Sequence, residues 1–109
     1  MKILSITAQK PHSTGSGVYL TEMVESWHEQ GHTQAVVAGI YEEDVAEFPK
    51  GIKFYPVKFH TDRLPFSIVG MSDEMPYEST RYRDLTKEMV KQFTERFRHI
   101  IGKAAVELE

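Results

Sequence analysis

The sequence predicts an α/β fold on a parallel sheet, with elements in the order β-α-β-β-α. Three observations carry this. Residues 3–8 and 35–40 are short, uncharged, mostly apolar runs, the pattern of strands buried on both faces of a parallel sheet. Between them Leu20, Met23, Val24 and Trp27 recur at i, i+3, i+4 and i+7, one stripe of an amphipathic helix. A loop of small residues, Ser13-Thr14-Gly15-Ser16-Gly17, joins the first run to that helix. Strand, glycine loop and helix in succession is how many α/β proteins build an anion site, because glycines admit a ligand to the backbone and the helix start favours negative charge.

The elements follow in order. The first strand is bounded by Gln9-Lys10-Pro11, and Ser13, Thr14 or Ser16 can cap the helix expected over 18–30. Glu22, Glu25 and Glu29 lie off its apolar stripe, and Gly31 ends it. The second strand, 35–40, leads to an acidic surface connection over 42–50. Residues 52–59 read as a third strand, and Pro56, which cannot donate to a ladder, places it at a sheet edge. Residues 60–80 form no recognisable element. Pro65, Gly70 and Pro76 interrupt them, yet Leu64, Phe66, Ile68, Val69, Met71 and Tyr77 are large and apolar, as in a functional or covered loop. A last helix is expected over 81–106, with Tyr82, Leu85, Met89, Phe93, Phe97 and Ile100 in steps of three and four.

Composition limits the classes of function. The chain has 109 residues, 40% hydrophobic and 27% charged, which suits one globular domain. Its net charge of −3 gives no reason to expect nucleic acid as a partner. There is no cysteine, hence no disulfide framework and no thiol chemistry. No run approaches the ~20 apolar residues of a membrane span, and the single Lys2 before a strand makes a poor signal peptide. The expected location is the cytoplasm. Leu108-Glu109 reads as the remnant of an affinity tag, leaving 1–107 as the domain.

Three motifs have chemical readings. His28-Glu29-Gln30-Gly31-His32 matches the H-E-x-x-H of zinc peptidases, but Gly31 ends the helix, so the two histidines would not share a face and no metal site is expected. Gly15-Ser16-Gly17 begins a dinucleotide fingerprint that Leu20 breaks, and no Walker A lysine follows. A purely structural turn competes there with phosphate binding, which the strand-to-helix position favours. His12, Arg63, Arg81 and Arg83 are candidate anion ligands, each also readable as a solvated surface residue. The cations of the last helix alternate with Asp84, Glu88 and Glu95, the pattern of a solvated face.

Taken together, Met1-Lys2-Ile3-Leu4-Ser5-Ile6, Thr14-Gly15-Ser16-Gly17-Val18-Tyr19-Leu20 and Trp27-His28-Glu29-Gln30-Gly31-His32 resemble the start of a GT-B glycosyltransferase of the family 4 (group 1) type. The resemblance covers residues 1 to about 59, and Ser16 separates two glycines that are usually adjacent in that family. It implies a partial Rossmann-like, three-layer sandwich, the N-terminal part of an acceptor domain whose sheet order begins 3-2-1-4. The parent enzyme would move a sugar, with retention, from a nucleotide-sugar donor to an acceptor hydroxyl.

On that resemblance Gly15, Ser16 and Gly17 would contact the donor phosphates, and Arg63, Tyr77, Arg81 and Tyr82 would shape the acceptor side. A side chain at Gly17 would weaken donor use and leave the fold intact. No catalytic residue and no cofactor is assigned within this chain, and alone it is expected to be inactive. Peripheral membrane contact would belong to the parent. An uncovered first strand and an exposed Phe93 and Phe97 would favour a homodimer through residues 3–7. The alternative is a self-contained, non-enzymatic α/β binding or interaction module, with an H-E-x-x-H hydrolase last.

Overall fold

The computed structural model describes residues 1–44, 46–70 and 75–109, apart from the side chains of 14–16. Its elements are β1 (Lys2–Thr7), α1 (Thr14–Glu29), β2 (Thr33–Ile40), β3 (Lys53–Lys58), β4 (Val69–Gly70), β5 (Thr80–Arg81), a 3₁₀ turn (Tyr82–Asp84) and α2 (Lys87–Leu108). β1, β2 and β3 form one parallel sheet in that spatial order, the α/β class that the sequence predicts. β2 is central and buried from Gln34 to Ile40, which is why its sequence is apolar without alternation. β3 is a rim strand, as Pro56 requires, with Pro56 opposite Ala38. β1 is the other rim.

The two faces of the sheet are covered differently. On one, Val24 of α1 packs on Val36 and Ala38, and Phe48 and Phe54 close the cluster. Phe48 lies in the β2–β3 connection, so part of this layer is built by a loop. On the other face Val37, Val57 and Phe59 meet Phe97, Ile100 and Ala104 of α2. Leu64, Ile68 and Val69 join them and are fully buried. Burying each such side chain contributes roughly 1.5–3 kcal/mol. Leu64 and residues 67–70 are therefore buried within a stretch whose other residues are exposed or half-buried, and β4 and β5 add a short parallel pair where no element was expected. Met71 lies outside the described residues.

Phe97 is only 7% exposed, with its ring 6.3 Å from that of Phe59 and 4.6 Å from that of Phe93. The expected exposure of Phe93 and Phe97 is thus absent, because α2 lies on the three strands that are present. α2 also starts later than its apolar spacing suggests. Thr86 is the N-cap and its hydroxyl accepts the Met89 N–H at 3.2 Å, while Leu85 before it is extended. Tyr82 and Leu85 therefore precede the helix. No helix among the described residues is long and apolar enough to cross a membrane.

α1 begins at Thr14, earlier than expected, so Gly15, Ser16 and Gly17 form its first turn rather than a loop before it. Its end is as predicted. Gly31 has φ +83°, its N–H reaches the His28 carbonyl at 3.0 Å, and the His32 N–H reaches the Trp27 carbonyl at 3.1 Å. This pair of bonds is a Schellman stop. It carries His32 off the helix, away from the face that holds His28.

Candidate functional site

Ligands of open α/β sheets bind outside the carboxyl ends of the strands. Here that end is built by the segments that follow β1, β2 and β3. After β1 the chain turns through Lys10, Pro11, His12 and Ser13. His12 takes a left-handed φ of 65°, rare for a residue with a side chain, and its ring nitrogen lies 3.0 Å from the Glu47 carbonyl. Ser13 holds the N-cap position of α1 without capping it; its hydroxyl donates to the Lys10 carbonyl at 3.1 Å.

The same carbonyl occupies the space that a Cβ on Gly17 would need. In β2 the Ala8 carbonyl stands in the same relation to Gly39. Two glycines thus let the strand-to-helix turn pack against its own chain. Gly17 has a structural reason to be glycine before any ligand is considered.

The Lys10 side chain enters a cage of residues from three segments. Its ammonium is 2.9 Å from the Asp44 carboxylate and lies over the rings of Tyr41 and Tyr77, 4.6 and 4.7 Å from their centroids. Asp44 also accepts the Tyr41 N–H at 2.8 Å. The Tyr41 hydroxyl donates to the Glu78 carbonyl and accepts the Ile68 N–H at 3.0 Å. Its ring stacks on His60 at 4.5 Å, and His60, with φ 60°, bonds through its ring to Ser67 at 2.9 Å. The two left-handed histidines both flank this edge, where backbone strain tends to gather at functional sites.

Tyr77 is the one expected acceptor-side residue that reaches the start of α1. Its hydroxyl accepts the Lys10 N–H at 3.3 Å. Burial raises its pKa above the ordinary tyrosine value; the Lys10 amide, the Lys10 charge and the Ser13 hydroxyl oppose the rise. Arg81, in β5, is paired with Asp84 at 2.8 Å, and Tyr82 is 53% exposed beside it. Arg63 goes elsewhere, into a groove with Arg96 of α2. Arg63 therefore lines a groove that Tyr77, Arg81 and Tyr82 do not. Gly15, Ser16 and Gly17 do sit together at the helix start, though the Ser16 side chain lies outside the described residues.

Lys10, Tyr41, Asp44 and His60 were not singled out in the sequence. The signal was positional: each follows closely on the carboxyl end of β1, β2 or β3. Chemically the cluster orients and binds. The Lys10 charge is matched by Asp44, and the Tyr41 proton is engaged by a carbonyl. Neither is placed as a base or nucleophile. The sequence matches no family model and no curated protein.

Proposed function

We propose that residues 1–107 are the leading part of the acceptor-holding, Rossmann-like half of a retaining GT-B glycosyltransferase. Gly15, Ser16 and Gly17, in the first turn of α1, would face the donor phosphates, and Tyr77 would border the acceptor side. The observation that supports this most is the sheet order 3-2-1, with the β1–α1 turn at its carboxyl end and Tyr77 bonded to that turn. The resemblance of residues 1 to about 59 supplies the chemistry. Arg63, which lines a groove with Arg96, and Arg81, paired with Asp84, are not assigned to the acceptor wall in this reading, whereas the exposed Tyr82 stays a candidate.

Transfer needs groups from both walls of a cleft. Purified residues 1–109 should turn over no nucleotide-sugar, whereas the full product of the parent reading frame should transfer sugar and carry a second Rossmann-like half with two spaced glutamates. Turnover by the short chain would overturn the reading. A second reading, a self-contained non-enzymatic α/β module, is favoured by the burial of Phe97 and Ile100 of α2 against the sheet, which leaves that side of the sheet covered. A reading frame without a second half would select it.

A further inference from the structure

β3 is a rim strand, and α2 lies beside it with Arg96, Ile100 and Lys103 at i, i+4 and i+7. Between them is a cavity of about 500 Å³, closed at one end by the turn that follows β3. Lys58, Arg63, Arg96 and Lys103 line it, with Asp62 as the one acidic side chain. Asp62, Arg63 and Arg96 also wall an adjoining hollow of about 240 Å³, so all three stand between the two. The adjoining hollow adds Glu95, yet neither arginine forms an ion pair among the described residues.

A chain of net charge −3 has gathered four cations here. Lys58 is paired with Glu42 at 3.4 Å, which leaves Arg63, Arg96 and Lys103 facing Asp62 alone in the groove. Burial, and after it the charge of Arg63, hold the Arg96 guanidinium below its ordinary pKa. An anion between the two would relieve that repulsion. The geometry is held in place beforehand. Leu64, fully buried, anchors the turn that carries Arg63, and the Thr61 hydroxyl bonds to the Lys58 carbonyl at 3.1 Å and the Leu64 N–H at 3.3 Å. Arg96 precedes the buried Phe97 on a rigid helix. The rest of the floor is organic in character, with the ring of Tyr55 and the side chain of Ile100.

We propose that this groove binds a phosphate monoester, its phosphate between Arg63 and Arg96 and its organic part against Tyr55 and Ile100. Lys103 supplies further positive charge, and Lys58, paired with Glu42, lies at the edge of the groove. The site is separate from the α1 start and does not rest on the glycosyltransferase reading.

The phosphate could be carried by a soluble molecule or by a lipid headgroup, and one experiment distinguishes them. Amide chemical shifts of the 109-residue chain would be followed on adding glycerol 3-phosphate, and sedimentation would be followed with phosphatidylcholine vesicles with or without phosphatidic acid. The expected result is saturable shifts at residues 61–63 and 92–103, or sedimentation that needs phosphatidic acid. Either response should weaken about tenfold or more in Arg63→Gln/Arg96→Gln. It should persist in Lys91→Gln, which removes an α2 cation outside the groove. Unchanged amide shifts elsewhere would show that the double variant is folded. No response to either probe would overturn the proposal, as would a response that survives in the folded double variant or falls equally in Lys91→Gln.

Discussion

The ammonium of Lys10 is 2.9 Å from the carboxylate of Asp44, and this pair ties the turn after β1 to the turn after β2. The side chains are only 18% and 24% exposed, so water screens the pair weakly. Asp44 is held in turn by the Tyr41 N–H, and Tyr41 and Tyr77 flank the lysine. Three loops at the carboxyl end of the sheet thus share one charge.

Removing the carboxylate should therefore cost more than a surface pair would. Asp44→Ala is expected to lower stability by about 1–3 kcal/mol, because it strands a half-buried ammonium as well as losing two bonds. Replacing both partners, Lys10→Met with Asp44→Ala, should recover part of the loss, since no charge is then left unpaired. Urea unfolding of the two variants against the parent measures the difference. A double variant less stable than Asp44→Ala would contradict this account.

Substituting either packing glycine should loosen the same edge. A methyl on Gly17 meets the Lys10 carbonyl, and one on Gly39 meets the Ala8 carbonyl, with the Phe59 ring 3.0 Å away. Backbone cannot retreat as a flexible side chain can. Gly17→Ala and Gly39→Ala are each expected to cost about 2 kcal/mol or more. This revises the expectation that a side chain at Gly17 spares the fold. Thermal unfolding of the isolated chain, with no ligand present, is the measurement, and an unchanged midpoint for Gly17→Ala would restore the ligand-only role.

Much of the architecture was legible because it rests on signals carried by short stretches. The apolar runs at 3–8 and 35–40, Pro56 and Gly31 each act through their own neighbourhood, and β1, β2, the rim position of β3 and the end of α1 followed. The start of α2 misled because Tyr82 and Leu85 continue the helical period through a segment that Thr86 excludes by capping. β4 and β5 have two residues each, too few for any period. The Lys10 cage was illegible for another reason: it joins residues 10, 41, 44 and 77, and no local pattern announces that meeting. Arg63 was noticed, but its partner Arg96 looked like part of a mixed, solvated helix face.

Tyr77 makes stability depend on alkaline pH. Burial raises its folded pKa above 10.0, its ordinary value, so the folded state keeps a proton that the unfolded chain releases. Stability from this group is complete below that value and is lost as pH rises through the higher folded one. Because the residue is partly exposed, the effect is modest. Tyr77→Phe should show a shallower fall in stability than the parent as pH rises above 10.0. Parallel curves for the two proteins would mean that Tyr77 titrates as if unfolded.

Gly102 and Gly31 offer a controlled comparison, because a Cβ at either meets nothing within 4 Å. Space is therefore equal and only backbone conformation differs. Gly102 lies within α2, where the missing side chain leaves the unfolded state more freedom to lose on folding. Gly31 holds φ +83° in the stop of α1, a region that side chains rarely enter. Gly102→Ala should stabilise the chain by about 0.5–1 kcal/mol, and Gly31→Ala should destabilise it by about 1 kcal/mol or more. Both sites are open, so neither change repacks the core, and equal denaturant slopes are expected. If Gly102→Ala destabilised the protein, α2 would have to press that face against something, and the open helix surface described here would be wrong.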